Sequence, residues 1–217
     1  MSIRRKAFLV AVGIILMLML SACGDPQEPA ANLVNQLVIG DQQINENLDE
    51  IAHYESEDLD LYEWILVKGK EKNSDLESDL DKADVYINKR RNLLNQAQTI
   101  MEQNQEQISP IRSSLKKLSF EKEETLTQAQ TILELYESRV TAFLELASVY
   151  NQCLDDDQQL YDMMRKNVEP NLEKIQQKIR VRNKEFGKLD KLFEQFNQLT
   201  DTFNNDNSIL IEMEQKK

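Results

Sequence analysis

The sequence contains no Gly between Lys70 and Phe186 and no Pro between Ile111 and Glu169. These two residues interrupt helices, and the turns of a sheet can rarely do without them. With five Gly, four Pro and 6% aromatics in 217 residues, the chain is confined to long helices. Apolar residues recur at helical spacing through the uninterrupted stretch. One seam runs from Leu76 through Leu80, Ala83, Ile87, Leu94, Ala97 and Met101 to Leu118, with Arg90 and Asn104 on it. A second runs from Leu126 through Tyr136, Val140, Phe143, Tyr150 and Tyr161 to Met164, with Asp157 as its polar member. A third runs from Leu172 through Ile175, Ile179, Phe186, Leu189, Phe193 and Phe196 to Phe203, interrupted by Arg182. Sustained heptad spacing marks helices packed along nearly parallel axes.

The ends of these segments carry matching chemistry. Ser74 followed by Glu77 reads as a capping box, and Gly69 between Lys68 and Lys70 suits a helix stop. A turn is expected around Ser119, with Glu121, Glu123 and Glu124 in the next first turn, and Pro170 fits the first turn of the last helix. Pro110 either kinks or splits its helix; the seam continuing through Ile111 and Leu115 favours a kink. An earlier segment, Asn32–Leu66, carries Leu33, Leu37, Ile44, Leu48, Ile51, Leu59 and Tyr62, with Gly40 as a weak point. The expected fold is all-α: an elongated, antiparallel up-and-down bundle with coiled-coil-like packing over residues 33–205, and a polar tail at 206–217. It has four helices, or three with a loosely docked first one. The two central helices, about 45 residues each, would reach about 65 Å.

The N-terminus reads as an address. Arg4, Arg5 and Lys6 precede an apolar run from Ala7 to Leu20, and Leu20-Ser21-Ala22-Cys23 follows. The run falls short of the about 20 residues that span a bilayer and suits a signal peptide. Its last four residues resemble the bacterial lipobox: an aliphatic residue, two small ones and an obligatory Cys. The resemblance implies a diacylglycerol thioether on Cys23, cleavage after Ala22, and a lipid-anchored protein on the outer face of the cytoplasmic membrane. An ordinary secretory signal or a retained membrane helix remain the alternatives. Removing residues 1–22 takes away three cations, leaving 23 Lys+Arg against 38 Asp+Glu and a net charge of −15 in place of −12. Residues 23–32, with Pro26 and Pro29, read as the lipidated Cys and an extended tether.

This charge balance argues against general nucleic-acid or anionic-membrane binding. One His and two Cys are too few for a His/Cys zinc cage, and no cofactor motif or phosphate loop occurs. His53 has no nearby Cys, so no catalytic residue is assigned and the chain reads as a non-enzyme. Cys153 lies beside an apolar seam and is followed by Asp155-Asp156-Asp157, acids that would raise its pKa. The triplet does not make a calcium loop, because helical carboxylates point about 100° apart.

Hairpin counting places Asp157 near Arg180 and Arg182, with Arg90 near that level. A polar layer of Arg90, Asp157 and Arg182 is therefore predicted, fixing register or lining a ligand cleft. Lys174, Lys178, Arg180, Arg182, Lys184, Lys188 and Lys191 face only Glu185 and Asp190. Of these, Lys174, Lys178, Arg180, Lys184, Lys188 and Lys191 form the candidate contact for phosphate-rich wall polymers or lipid headgroups; the alternative is a helix face neutralised by acidic neighbours. Tyr54, Tyr62 and Trp64 suit the end of a bundle core better than a sugar platform.

Several stretches carry a resemblance. The lipobox, Asp60-Leu61-Tyr62-Glu63-Trp64-Ile65, Ile87-Asn88-Lys89-Arg90-Arg91-Asn92-Leu93-Leu94, Leu135-Tyr136-Glu137-Ser138-Arg139-Val140-Thr141-Ala142-Phe143 and Gln159-Leu160-Tyr161-Asp162-Met163-Met164 resemble the YkyA-like cell-wall-binding lipoproteins of Gram-positive bacteria. The resemblance implies an elongated helical bundle at the cell envelope and carries over no catalytic residues. The expected function is a membrane-anchored module that binds a cell-wall polymer or another envelope protein. The alternative is a peptidoglycan hydrolase or an activator of one.

Overall fold

The computed structural model describes residues 29–71, 75–118, 123–165 and 172–215. All regular structure among them is helical. A short helix α1 (Ala30–Asn35) leads through a 3-10 turn (Gln36–Val38) to Gly40, and α2 (Asp41–Lys68), α3 (Glu77–Leu115), α4 (Glu123–Asp162) and α5 (Leu172–Gln215) follow. Polar pairs fix the antiparallel register of consecutive helices. Asp58 meets Arg90 and Lys68 meets Asp79 between α2 and α3, while Arg91 meets Asp155 and Arg112 meets Glu137 between α3 and α4. Between α4 and α5, Gln128 reaches the Asp206 carbonyl and Arg139 reaches Thr200. The fold is the expected elongated up-and-down bundle, and α5, at 44 residues, runs about 66 Å.

The first segment is an integral fourth helix. Ile44, Ile51, Leu61 and Ile65 of α2 are buried, together with Asn47 and Asp58. Leu59, expected on the core face, is 53% exposed; the buried column instead runs Ile44, Ile51, Asp58, Ile65 at heptad spacing. Gly40 breaks this helix from α1. Its φ of 92° lies in the left-handed region, and a Cβ there would come within 2.6 Å of Ile100 Cγ2. Beyond the break, Leu33, Val34 and Leu37 turn into the core, where α1 packs on α3, α4 and α5.

Both outer limits of the bundle differ from expectation. Ala30 to Asn32, assigned to an extended tether, are helical, and the residues expected to form a polar tail continue α5 to Gln215. One arrangement explains both. Leu210 extends the buried column of Leu189, Phe196 and Phe203, and the Glu214 carboxylate accepts the Ala30 and Ala31 amides at 2.7 and 3.1 Å. A carboxylate suits these unpaired donors at a helix start. Helix α3 continues through Pro110, flanked by buried Ile108 and Ile111, so the proline does not split it. Helix α3 begins at Glu77, whose amide donates to Asp75 Oδ1 at 3.3 Å. The features expected at Cys23, Ser74, Ser119 and Pro170 lie outside the described residues.

Candidate functional site

Each long helix contributes one charged side chain to a single ionic layer. These are Asp58 of α2, Arg90 of α3, Asp157 of α4 and Arg182 of α5, so Arg90, Asp157 and Arg182 come together with a partner that was not anticipated. Arg90 Nη2 lies 2.7 Å from Asp58 Oδ2 and 3.5 Å from Asp157 Oδ2, and Arg182 Nε donates to Asp157 Oδ1. The Tyr161 hydroxyl donates to Asp58 Oδ1 at 2.9 Å. Arg90, Asp58 and Asp157 are at most 2% exposed. Burial raises the Asp58 carboxyl, against the pull of Arg90 and Tyr161, and raises the Tyr161 hydroxyl, beside Asp58. Glu55, half-buried one turn before Asp58, is also raised by burial, with Arg90 opposing and Asp157 adding to the shift.

A second ionic centre was missed entirely. Arg139 is 1% exposed, and its Nη1 lies 3.0 Å from Asp41 Oδ2 at the start of α2. Its Nε donates to Thr200 Oγ1 at 3.0 Å, and its guanidinium lies 5.3–5.9 Å from the rings of Tyr136, Phe196 and Phe203. A planar guanidinium both stacks on rings and donates in its own plane, so Arg serves here where Lys would not. The Tyr136 hydroxyl donates to the Leu37 carbonyl at 2.6 Å, and burial pushes it up to about 12.

The basic stretch of α5 divides in two. Lys178 pairs with Asp156, Arg182 with Asp157, and Lys188 with Glu185. Arg180, Lys184 and Lys191 are exposed and have no acidic partner among the described residues; Lys174 is exposed as well. No described side chain is fully buried between residue 173 and Leu189, so the start of α5 is held by the ion pairs of Lys178 and Arg182, by Arg182 over the ring of Tyr62 and by the half-buried Phe186.

Remaining candidates are inert or structural. The Cys153 thiol is buried, and desolvation, then Asp157 and Asp156, push it up to about 12. The acidic triplet disperses, Asp155 to Arg91, Asp156 to Lys178 and Asp157 into the ionic layer. Tyr54 stacks near Tyr86 and Tyr62 near Tyr161, whereas Trp64, directly before buried Ile65, turns outward and is 54% exposed. It does not cap the core.

Among the described residues no helix is long and apolar enough to cross a membrane. No curated protein and no solved structure matches the chain. Residues 25–212 match the family model YkyA, described as "Putative cell-wall binding lipoprotein", a span that takes in both ionic centres and the basic half of α5. By that match over nearly its whole length, the chain belongs to the YkyA family.

Proposed function

We propose that this protein is a lipid-anchored, extracytoplasmic wall-binding stalk without catalytic activity. The lipid is a diacylglycerol joined to the Cys23 sulfur through a thioether, and the protein sits on the outer face of the bacterial cytoplasmic membrane. Acyl chains add about 0.8 kcal/mol per buried CH₂, so two or three of them hold a protein stably on a bilayer. The family match carries wall binding, and one contact supports the orientation: Ala30 is clasped by Glu214 at one extreme end of the bundle. A tether from Cys23 to Pro29 reaches about 20 Å at most, which puts that end near the bilayer. The bundle then extends about 60 Å outward and carries the start of α5, with its cations, at the far end. The two ionic layers hold the helices in register along this length.

Two experiments test the proposal. The processed protein is incubated with purified wall sacculi, with and without their anionic polymers; retention supports wall binding. No retention on either, together with one enriched envelope protein, supports scaffolding instead. Release of wall fragments that depends on an acidic residue would support the hydrolase or activator alternative. Cys23→Ser is expected to release the protein from membranes or leave it uncleaved; unchanged mass and extraction would contradict lipidation.

A further inference from the structure

We infer that the outer face of the first half of α5 binds a phosphodiester polymer, with Arg180, Lys184 and Lys191 as its contacts; this rests on the wall-binding reading and names the ligand class. At 100° per residue the three side chains fall within about 40° of one another, spread over about 16 Å of helix. All three are exposed and none has an acidic partner among the described residues, in a chain with 38 acids against 26 bases. The other cations around them are engaged: Lys178 and Arg182 hold α5 to α4, and Lys188 holds Glu185.

Gly187 lies on the same stripe, between Lys184 and Lys191, and a Cβ there would meet nothing within 4 Å. A glycine in an exposed helix interior destabilises the helix relative to Ala, and no packing in the fold requires it here. It leaves the backbone bare where a chain lying along the stripe would pass closest. A file of separated cations on a convex surface matches charges repeated along a linear polymer, and a guanidinium can take a phosphate through two parallel N–H groups. The stripe lies roughly 35–50 Å along α5 from Glu214, which clasps Ala30. This distance favours a polymer standing off the bilayer over lipid headgroups.

The test measures binding of the full chain, extracted in non-ionic detergent, to poly(glycerol phosphate), to intact and polymer-stripped sacculi, and to phosphatidylglycerol vesicles. Vesicle binding is read in excess of that to phosphatidylcholine vesicles, which report what the acyl anchor alone contributes. Two variants with the same charge change are compared: Arg180→Gln/Lys184→Gln/Lys191→Gln, and the control Lys89→Gln/Lys116→Gln/Lys117→Gln, whose lysines are exposed on or just after α3. The first is expected to lose at least tenfold affinity for poly(glycerol phosphate), the second less than twofold, with helicity and melting unchanged in both. Equal losses in the two variants, no wild-type binding to the polymer, or a loss seen only on vesicles would overturn the assignment. If sacculi still retain the first variant as well as wild type, the stripe falls while wall binding stands. If intact sacculi do not retain even the wild type, the wall-binding reading itself has failed.

Discussion

Helices α4 and α5 are neighbours of similar length, yet they bury very different faces. Helix α4 buries three heptad columns, through Ala129, Tyr136, Phe143, Tyr150 and Asp157, through Leu133, Val140, Ala147, Leu154 and Tyr161, and through Ile132, Arg139, Leu146, Cys153 and Leu160. Helix α5 buries one, Leu189, Phe196, Phe203 and Leu210. The number of buried columns follows the number of neighbours: α4 packs against α1, α3 and α5, whereas α5 leans chiefly on α4. The single column of α5 also ends early, because Arg182 occupies the next heptad position and exchanges apolar burial for a contact with Asp157. One half of α5 is thus held by the hydrophobic effect and the other chiefly by charge, with Phe186 only half-buried, which leaves an accessible cationic surface toward one end of an acidic protein.

Substitutions in the two helices should separate these regimes. Phe143→Ala in α4 and Phe203→Ala in the second half of α5 are each expected to cost about 3–5 kcal/mol in denaturant unfolding, because both rings are fully buried. Ile179→Ala, in the half-buried start of α5, should cost about 1 kcal/mol or less; a loss equal to that of Phe203→Ala would erase the contrast. Asp157→Ala should cost about 3 kcal/mol or more, since it strips a partner from buried Arg90 and from Arg182. Lys178→Ala should cost about 1 kcal/mol, because its pair with Asp156 is partly solvated.

Smaller effects sharpen the same picture. Burial holds the Glu55 carboxyl above its ordinary value of 4.5, so the folded state binds its proton more tightly than the unfolded state does. That contribution to stability is complete below about pH 4.5 and is lost as pH rises through the folded-state value. Glu55→Gln should therefore raise the melting temperature at pH 7 and bring little or no gain at pH 4; equal gains at both would refute the linkage. Gly187→Ala should stabilise the helix by about 0.5–1 kcal/mol, and a loss of stability would mean that the position is not free in the fold.

The bundle, its register and three members of the ionic layer were legible because polar residues on an apolar seam stand out once hairpin counting aligns the helices. Asp58 and Arg139 carried the same signal. Asp58 continues the spacing of Ile44, Ile51 and Ile65, and Arg139 that of Ile132, Leu146 and Cys153. Asp58 was hidden because following Leu59 and Tyr62 shifts the phase of the α2 seam, in a segment crowded with Glu55, Glu57 and Asp60. Arg139 was hidden because a central helix buries more than the single seam an outer helix shows. The extension of α5 beyond residue 205 was obscured by Asn204, Asn205 and Asn207, poor helix formers that tertiary contacts of Leu210 and Glu214 override.

Hydrogen exchange along α5, at low and at moderate salt, tests the division most directly. The account predicts that amides of 173–188 exchange far faster than those of 189–210, and that salt speeds only the first group by screening its ion pairs. Uniform protection along α5, unaffected by salt, would contradict it.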